Sequence, residues 1–539
     1  MSKLRFITGC LAACLLSAGA LSAQFLPRFH VNAPRVEPIA GLHERIHDGQ
    51  LHLTLKEFLA LVLANDTQIH VLRLDNTNAV NAVLAARSPF DPTLIGSFNG
   101  TRSVQPEASQ INGAPTLSQL GQNSNFTFNQ VLGTGQQVAI GFGTNRDSSN
   151  SQFLTFNPSL GATMNFALTQ PLLRNRGNLQ NRTPLLIAQT QVLVVGDQTS
   201  TQIADQLVSA ADQYWSTVQA RDQIAVQQQG VDLAQKSYER DQNALQLGAL
   251  PPGDIFTSQA QVAQDQTQLL QAQSNYRQQM DLLRRLIGAD IDAEARAAEI
   301  VLDEDPRATT PEAPPLPVDQ AVAQALAHRP EMDAIQRQRI EDRFSTAAAR
   351  DALRPQLNLS GSYGSNALAG NAIPVVNSLG VSVGGLSTGF GSALGQVFDF
   401  GFPTYGFSLS LNLPLRNSAG RAQLSNSLVS EASHAYQERN ETQQVTQEVR
   451  LADTQLSMAA AVVHSATTAR DLSQKNVAAE QQKYTLGTIT VFELLQAQVQ
   501  LSNAELTLLG AYTSYQIAQI AYQRATWTLL DKLGLKVNP

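Results

Sequence analysis

Apolar residues between Val445 and Ala466 recur at alternating intervals of four and three: Val445, Val449, Ala452, Leu456, Ala459, Val463 and Ala466. From Leu494 the same rhythm runs through Ala497, Leu501, Ala504, Leu508, Ala511, Tyr515, Ala518, Tyr522, Ala525 and Leu529. A mean repeat of 3.5 keeps one seam of an α-helix against a partner helix, which is coiled-coil geometry. Alanine at every second seam position of the last helix lets two backbones come close. Val262, Gln266, Leu269, Gln273, Tyr276, Met280, Leu283 and Ile287 keep the spacing earlier in the chain, with two polar members. No proline or glycine interrupts the chain between Gly420 and Leu486. At 1.5 Å per residue such a helix is roughly 100 Å long.

A second pattern has period two. Residues 93–101, 162–169, 357–363 and 405–413 alternate apolar side chains with Asn, Ser, Thr and Gly. These predict strands with one greasy and one polar face, as in a membrane β-barrel; a soluble sheet with one wet face shows the same alternation. Residues 125–142 add an extra hairpin whose turn is Gly133-Thr134-Gly135.

Both patterns occur twice. Residues 55–66 answer to 318–329, and a strand ending near Pro171 answers to one ending near Pro414. A long helix follows each, with Gly177 and Gly420 expected to mark the turn. A second long helix lies beyond Leu247-Gly248 in one half and Leu486-Gly487 in the other. A repeat this long is a duplicated domain rather than a solenoid. The expected organisation is a signal peptide over 1–23, a polar N-terminal extension over 24–51, a first repeat over 52–302, a linker over 303–317, a second repeat over 318–533 and a tail over 534–539.

The start carries Lys3 and Arg5, an apolar stretch from Phe6 to Leu21, and small residues up to Ala23. That is the layout of an export signal. Removing Lys3 and Arg5 takes the net charge from −7 to −9. Leu11-Ala12-Ala13-Cys14 resembles a lipoprotein box, but region lengths favour plain cleavage after Ala23. Both cysteines, Cys10 and Cys14, leave with the signal, so the mature chain has no thiol for a disulfide, a zinc site or catalysis. The acidic pI of about 5.7 and the lack of a basic tract exclude a nucleic-acid binder. An aromatic content of 6% is thin for a chain made only of membrane barrel.

Taken together, a duplicated chain with alternating strands between very long paired helices resembles the TolC-type outer-membrane efflux proteins. Leu53 to Asn65 resembles that family's opening helix, Leu168-Thr169-Gln170-Pro171-Leu172-Leu173 its strand-to-helix corner, and Lys483 to Gln498 its periplasmic helix-tip turn. The resemblance implies an α+β membrane protein, mostly α. Its coiled-coil helices would form an α-barrel. Its four principal β-strands per chain would contribute to a homotrimeric, twelve-stranded outer-membrane β-barrel. The extra hairpin, the Pro251-Pro252 pair at the first tip and residues 24–51 depart from the family pattern.

The implied function is an exit duct for efflux or type I secretion, in the outer membrane of a Gram-negative type cell, with its helices in the periplasm. Its implied partners are a periplasmic adaptor protein, an inner-membrane RND or ABC transporter, and outer-membrane lipid. Rival readings are a passive porin, weakened by the small share of strand, and a soluble periplasmic coiled-coil scaffold. No G-x-S-x-G, Walker loop or H-E-x-x-H is present, so no catalytic residue, cofactor or metal is expected. His43, His47 and His52, with Glu44 and Asp48, form the one cluster with ligand chemistry, read chiefly as a polar, mobile tail. Asp254 and Glu493, beyond the two tips, stand where the family carries acidic residues at the tunnel's constriction. Rings of such carboxylates favour cations; acids stabilising helix N-termini are the competing reading. The family's further acid, three residues on, is Gln496 here.

Overall fold

Four long helices pair two by two, and six strands form one large sheet. The computed structural model describes residues 35–106, 115–151, 154–247, 251, 253–376, 382–383 and 387–536. The chain divides into two units, Met1–Ala40 and Gly41–Pro539. In the first, residues 35–40 carry no regular secondary structure; the expected export signal, its cleavage site and Cys14 lie outside the described residues. Every described helix and strand belongs to the second unit.

The first half runs β1 (Ile46–His47), β2 (Gln50–Leu53), α1 (Leu55–Asn65), α2 (Thr67–Arg87), β3 (Thr93–Pro106), β4 (Thr116–Val131), β5 (Gln137–Ser149), β6 (Phe156–Pro171), α3 (Asn178–Gln246), α4 (Asp254–Leu286), α5 (Ala293–Ala297) and β7 (Glu299–Leu302). The second half runs α6 (Val318–His328), α7 (Pro330–Asp351), β8 (Gln356–Ala372), β9 (Val375–Val376), β10 (Ser382–Val383), α8 (Phe390–Phe398), β11 (Pro403–Asn412), α9 (Ser418–Thr485), α10 (Val491–Ala525) and α11 (Leu529–Leu533). The duplication is visible in matched elements: α1 with α6, α2 with α7, β3 with β8, β6 with β11, α3 with α9 and α4 with α10.

Caps decide where helices begin. Thr54 and Glu57 form a reciprocal capping box at α1. Asp66 closes α1 and opens α2, its carboxylate accepting from the amides of Gln68 and Ile69. Arg329 holds the matching place between α6 and α7, followed by Pro330 at the first helical position. Gly177, at φ 104°, precedes α3. The expectation for Gly420 is corrected: it lies inside α9, and Asn417 is the cap, its side-chain oxygen accepting from the Gly420 amide at 3.0 Å.

The heptad seam of α9 is buried from Val445 to Ala466 and packs on Leu508, Ala511, Tyr515, Ala518, Tyr522 and Ala525 of α10. Ala321 and Ala325 of α6 join the same core. Leu501 and Ala504 are half-buried. The seam does not continue as one helix to Leu529, because Trp527 turns at φ 57° and Leu529 opens α11. In α4 the seam is buried at Met280, Leu283 and Ile287 but exposed at Gln266.

Residues 42–53 are not a loose polar tail. Strand β2 pairs in parallel with β7, Leu51 against Ile300, and Leu42, Leu51 and Leu53 are fully buried. The expected linker is stitched to both halves. The Glu304 carboxylate accepts from the Leu55 amide at 2.9 Å, and the Glu312 amide donates to the Tyr515 hydroxyl at 2.9 Å.

The large sheet has the order β11-β8-β6-β5-β4-β3, antiparallel throughout. The four principal strands are β3, β6, β8 and β11. The extra hairpin is β4 and β5, longer than its sequence suggests and inserted between β3 and β6.

Candidate functional site: a two-faced sheet and two helix tips

Strand periodicity sorts the sheet into opposite faces. One register row runs through all six strands as Leu94, Phe128, Ile140, Phe166, Tyr363 and Tyr405, each paired directly with the next. The adjacent row, on the opposite face, is Thr93, Asn129, Ala139, Ala167, Ser362 and Gly406. Further apolar rows hold Phe126, Phe142 and Met164, then Val138, Leu168 and Phe407. Further polar rows hold Ser97, Asn125, Thr163 and Asn366. The apolar face is bare over much of its area: Tyr405 is 79% and Phe407 87% exposed. Leaving such side chains in water forfeits about 1.5–3 kcal/mol each, so this face calls for an apolar surrounding. Helix α8 lies against part of it, with Ala393 and Val397 buried on Ala162, Ala367 and Ala369, and Phe398 stacked on Phe142 at 6.3 Å.

Pro171 ends β6 opposite Asn358, and the chain leaves the sheet through a fixed corner. The Leu172 amide donates to the Leu357 carbonyl at 2.7 Å. The Asn175 amide donates to the buried Asp351 carboxylate at 2.7 Å. Pro414, its counterpart, lies between β11 and α9, outside both elements.

At the second tip, α9 ends in a Schellman turn. Gly487 sits at φ 73°, its amide donates to the Tyr484 carbonyl at 3.0 Å, and the Thr488 amide reaches the Lys483 carbonyl at 3.0 Å. Leu486 is the C-cap residue and is exposed. Helix α10 then opens with a capping box in which the Glu493 carboxylate accepts from the Thr490 amide at 2.9 Å. Glu493 is thus an exposed helix-capping acid at the tip. At the first tip, Leu247 caps α3. Gly248 and the side chain of Asp254 lie outside the described residues, although Asp254 is the first residue of α4.

The structure adds a tip cluster that no sequence pattern announces. Asp241 of α3 is fully buried. Its carboxylate accepts from Ser258 Oγ of α4 at 2.5 Å and from the Tyr484 hydroxyl of α9 at 2.9 Å. The Arg240 guanidinium stands 4.4 Å above the Tyr484 ring and 3.4 Å from the Asp241 carboxylate. Burial, and then the hydrogen bond to Asp241, hold the Tyr484 phenol above its ordinary pKa, so it stays a donor. Three of the four tip helices are tied through one carboxylate. No local signal marks it: Glu239, Arg240 and Asp241 read as solvated charges, and the partner is 243 residues away.

The histidine cluster is dispersed rather than convergent. His43 meets Asp292 at 3.1 Å and Glu294 at 2.9 Å, and His52 meets Asp303 at 2.9 Å. Hydrogen bonding to Glu294, then the charge of Asp292, raises the His43 pKa. Among the described residues no group of three or more His, Cys, Asp or Glu is placed to hold a metal, and no helix is long and apolar enough to cross a membrane.

The sequence profile of the outer membrane efflux protein family matches residues 321–526. No curated protein matches the chain. Among solved structures, a membrane protein from Pseudomonas aeruginosa superposes with a TM-score of 0.61 at 17% identity, over 93% of this chain and 99% of its own. The CmeC outer membrane channel of Campylobacter jejuni gives 0.60 at 13% identity, over 94% and 91%. The open-state MtrE outer membrane channel of Neisseria gonorrhoeae gives 0.60 at 15% identity, over 88% and 89%. In sequence the second repeat matches the outer membrane efflux protein family, and in fold the chain as a whole is similar to these outer membrane channels.

Proposed function

We propose that the protein is a passive outer-membrane exit duct for efflux or type I secretion. It would work as a homotrimer and be driven by an inner-membrane RND or ABC pump through a periplasmic adaptor. The observation that carries the reading is the two-faced sheet joined directly to long paired helices. A bare apolar face backed by a polar one is the surface of a wall between lipid and water. From Leu160 to Leu168 the apolar band of β6 spans about 20 Å along a membrane normal, for a strand tilted by roughly 40°. The sheet has two free edges, and an open edge is not tolerated in lipid, so one chain cannot form the wall alone. A soluble scaffold would leave the apolar face in water.

Asp254 and Glu493 are proposed as a cation-attracting ring at the narrow periplasmic end, with Leu247-Gly248 and Leu486-Gly487 as the turns beside them. The test is single-channel recording of the Asp254→Ala/Glu493→Ala variant in planar bilayers. Anion passage should rise, and the change should shrink at high salt, because exposed charges are screened within about 8–10 Å at physiological ionic strength. Unchanged ion preference would leave Glu493 as a helix cap alone. The duct itself is tested by washing membranes at high salt and crosslinking in intact cells. Protein that washes off, or crosslinking that passes three subunits, refutes it.

A further inference from the structure

We propose that closure with two further copies of this chain gives an eighteen-stranded wall, with the extra hairpin β4–β5 as an integral part of it. This rests on the trimeric duct reading above. The four principal strands alone would close at twelve.

Three observations place the hairpin in the wall. It is threaded between β3 and β6, with thirteen residue pairs linking β4 to β5 and eleven linking β5 to β6. It also carries the same two faces in the same register as its neighbours. Phe126, Phe128, Val138, Ile140 and Phe142 extend the apolar face, while Asn125, Thr127 and Asn129 extend the polar one. A hairpin folded over a finished barrel would need only one face to match.

The third observation is its anchor. The β4–β5 turn sits against the corner where β6 hands over to α3. The Gly177 amide donates to the Thr134 carbonyl at 3.3 Å. Gly135, at φ 88°, is so close to the corner that a Cβ there would stand 2.4 Å from the Asn175 carbonyl oxygen and 3.1 Å from Pro171 Cγ. The hairpin is therefore clamped at the rim where sheet becomes helix.

Parity permits closure. Six antiparallel strands per chain leave edges β3 and β11 running in opposite senses, so β3 of one copy can pair antiparallel with β11 of the next. Every residue of β11 and all but Ser103 of β3 are exposed, as unpaired edges. Helices α2 and α7 lead into β3 and β8, and α3 and α9 follow β6 and β11. Three copies supply twelve, and at 8–10 Å between axes they need a circumference of about 100–120 Å. Twelve strands tilted by roughly 40° close at about 75 Å, and eighteen at about 110 Å. The hairpin widens the wall without adding a helix below, because its turn doubles back at the rim. The wall radius becomes about 18 Å instead of about 12 Å.

The test uses the purified full-length protein in lipid nanodiscs. Electron cryomicroscopy of the trimer should count eighteen strands in the wall. In parallel, the Ala139→Cys/Ala167→Cys pair should close a disulfide within one chain. The Ser97→Cys/Thr163→Cys pair should not, since three strand spacings, about 14 Å, separate those positions, well beyond disulfide reach. A trimer with a twelve-stranded wall, or one in which the 97–163 pair closes, overturns this proposal and leaves the duct standing. Ser97→Cys combined in turn with Thr404→Cys, Gly406→Cys and Ser408→Cys should trap covalent trimers across the β3–β11 seam. If none does and the particle is not trimeric, the duct reading itself fails.

Discussion

The Tyr484 phenol donates to the Asp241 carboxylate at 2.9 Å, joining α9 to α3 beside the tips. Asp241 is fully enclosed, so the bond has little competition from water and its loss is felt in full. It ties together two helix hairpins that the chain connects only through the rest of the fold.

Removing that tie should loosen the tips. Tyr484→Phe keeps the ring under Arg240 and deletes only the donor; Asp241→Asn weakens all three contacts. Single-channel conductance in planar bilayers is expected to rise in both, more in Asp241→Asn, with assembly intact. Equal conductance in parent and variants would mean that the cluster is packing and not a latch.

Arg329 is the largest fully buried side chain among the described residues. Its Nε donates to the Ala525 carbonyl at 2.9 Å and its Nη1 to Glu448 at 2.6 Å. Arg329→Met removes the charge and takes the donor from the Ala525 carbonyl and from Glu448 Oε2, while Gln444 still donates to Glu448 Oε1 at 3.2 Å. Breaking a buried pair costs about 3–5 kcal/mol; the cost here should fall near the low end, because the Glu448 side chain is 43% exposed. Chemical denaturation in detergent would measure it, and Arg329→Met/Glu448→Gln should recover part of the loss.

Ala511 is buried in the seam between α9 and α10. Ala511→Leu adds three carbons where two backbones approach and should cost roughly 1–3 kcal/mol. A variant that melts with the parent would show that this face of α10 yields to larger side chains.

Glu341 on α7 has its pKa pushed up to about 7, first by burial and then by Asp342, with His434 of α9 opposing. A carboxyl whose folded pKa is raised binds more protons folded than unfolded, so its contribution falls as pH rises. Stability should decline between about pH 4.5 and pH 7 through this group. Glu341→Gln should flatten that slope in melting curves recorded across the window, and an unaltered slope would assign the pH dependence to other groups.

The sequence by itself carried whatever repeats at short range. The 4,3 spacing placed the seams of α9 and α10, the period-two alternation found the strands, and Leu486-Gly487 marked a tip that needs a positive φ. Each is legible because helix and strand periods are set by backbone geometry and by which face meets an apolar neighbour. Gly420 misled for a local reason: the nearby Asn417 side chain caps the helix by accepting from the Gly420 amide, so no glycine turn is needed.

Only the tertiary structure decided what depends on distant partners. Alternation says that β4 and β5 have two faces, but not that they lie between β3 and β6; strand order is fixed by pairing across the whole repeat. His43, His47 and His52 look convergent in sequence, yet carboxylates about 250 residues away draw His43 and His52 apart. Leu51 looks like an isolated apolar residue in a polar extension until β2 pairs with β7 and it is fully buried. Asp241 is an ordinary helix-surface acid until Ser258 and Tyr484 close over it. In each case the deciding contact is with residues far along the chain, and no local pattern encodes it.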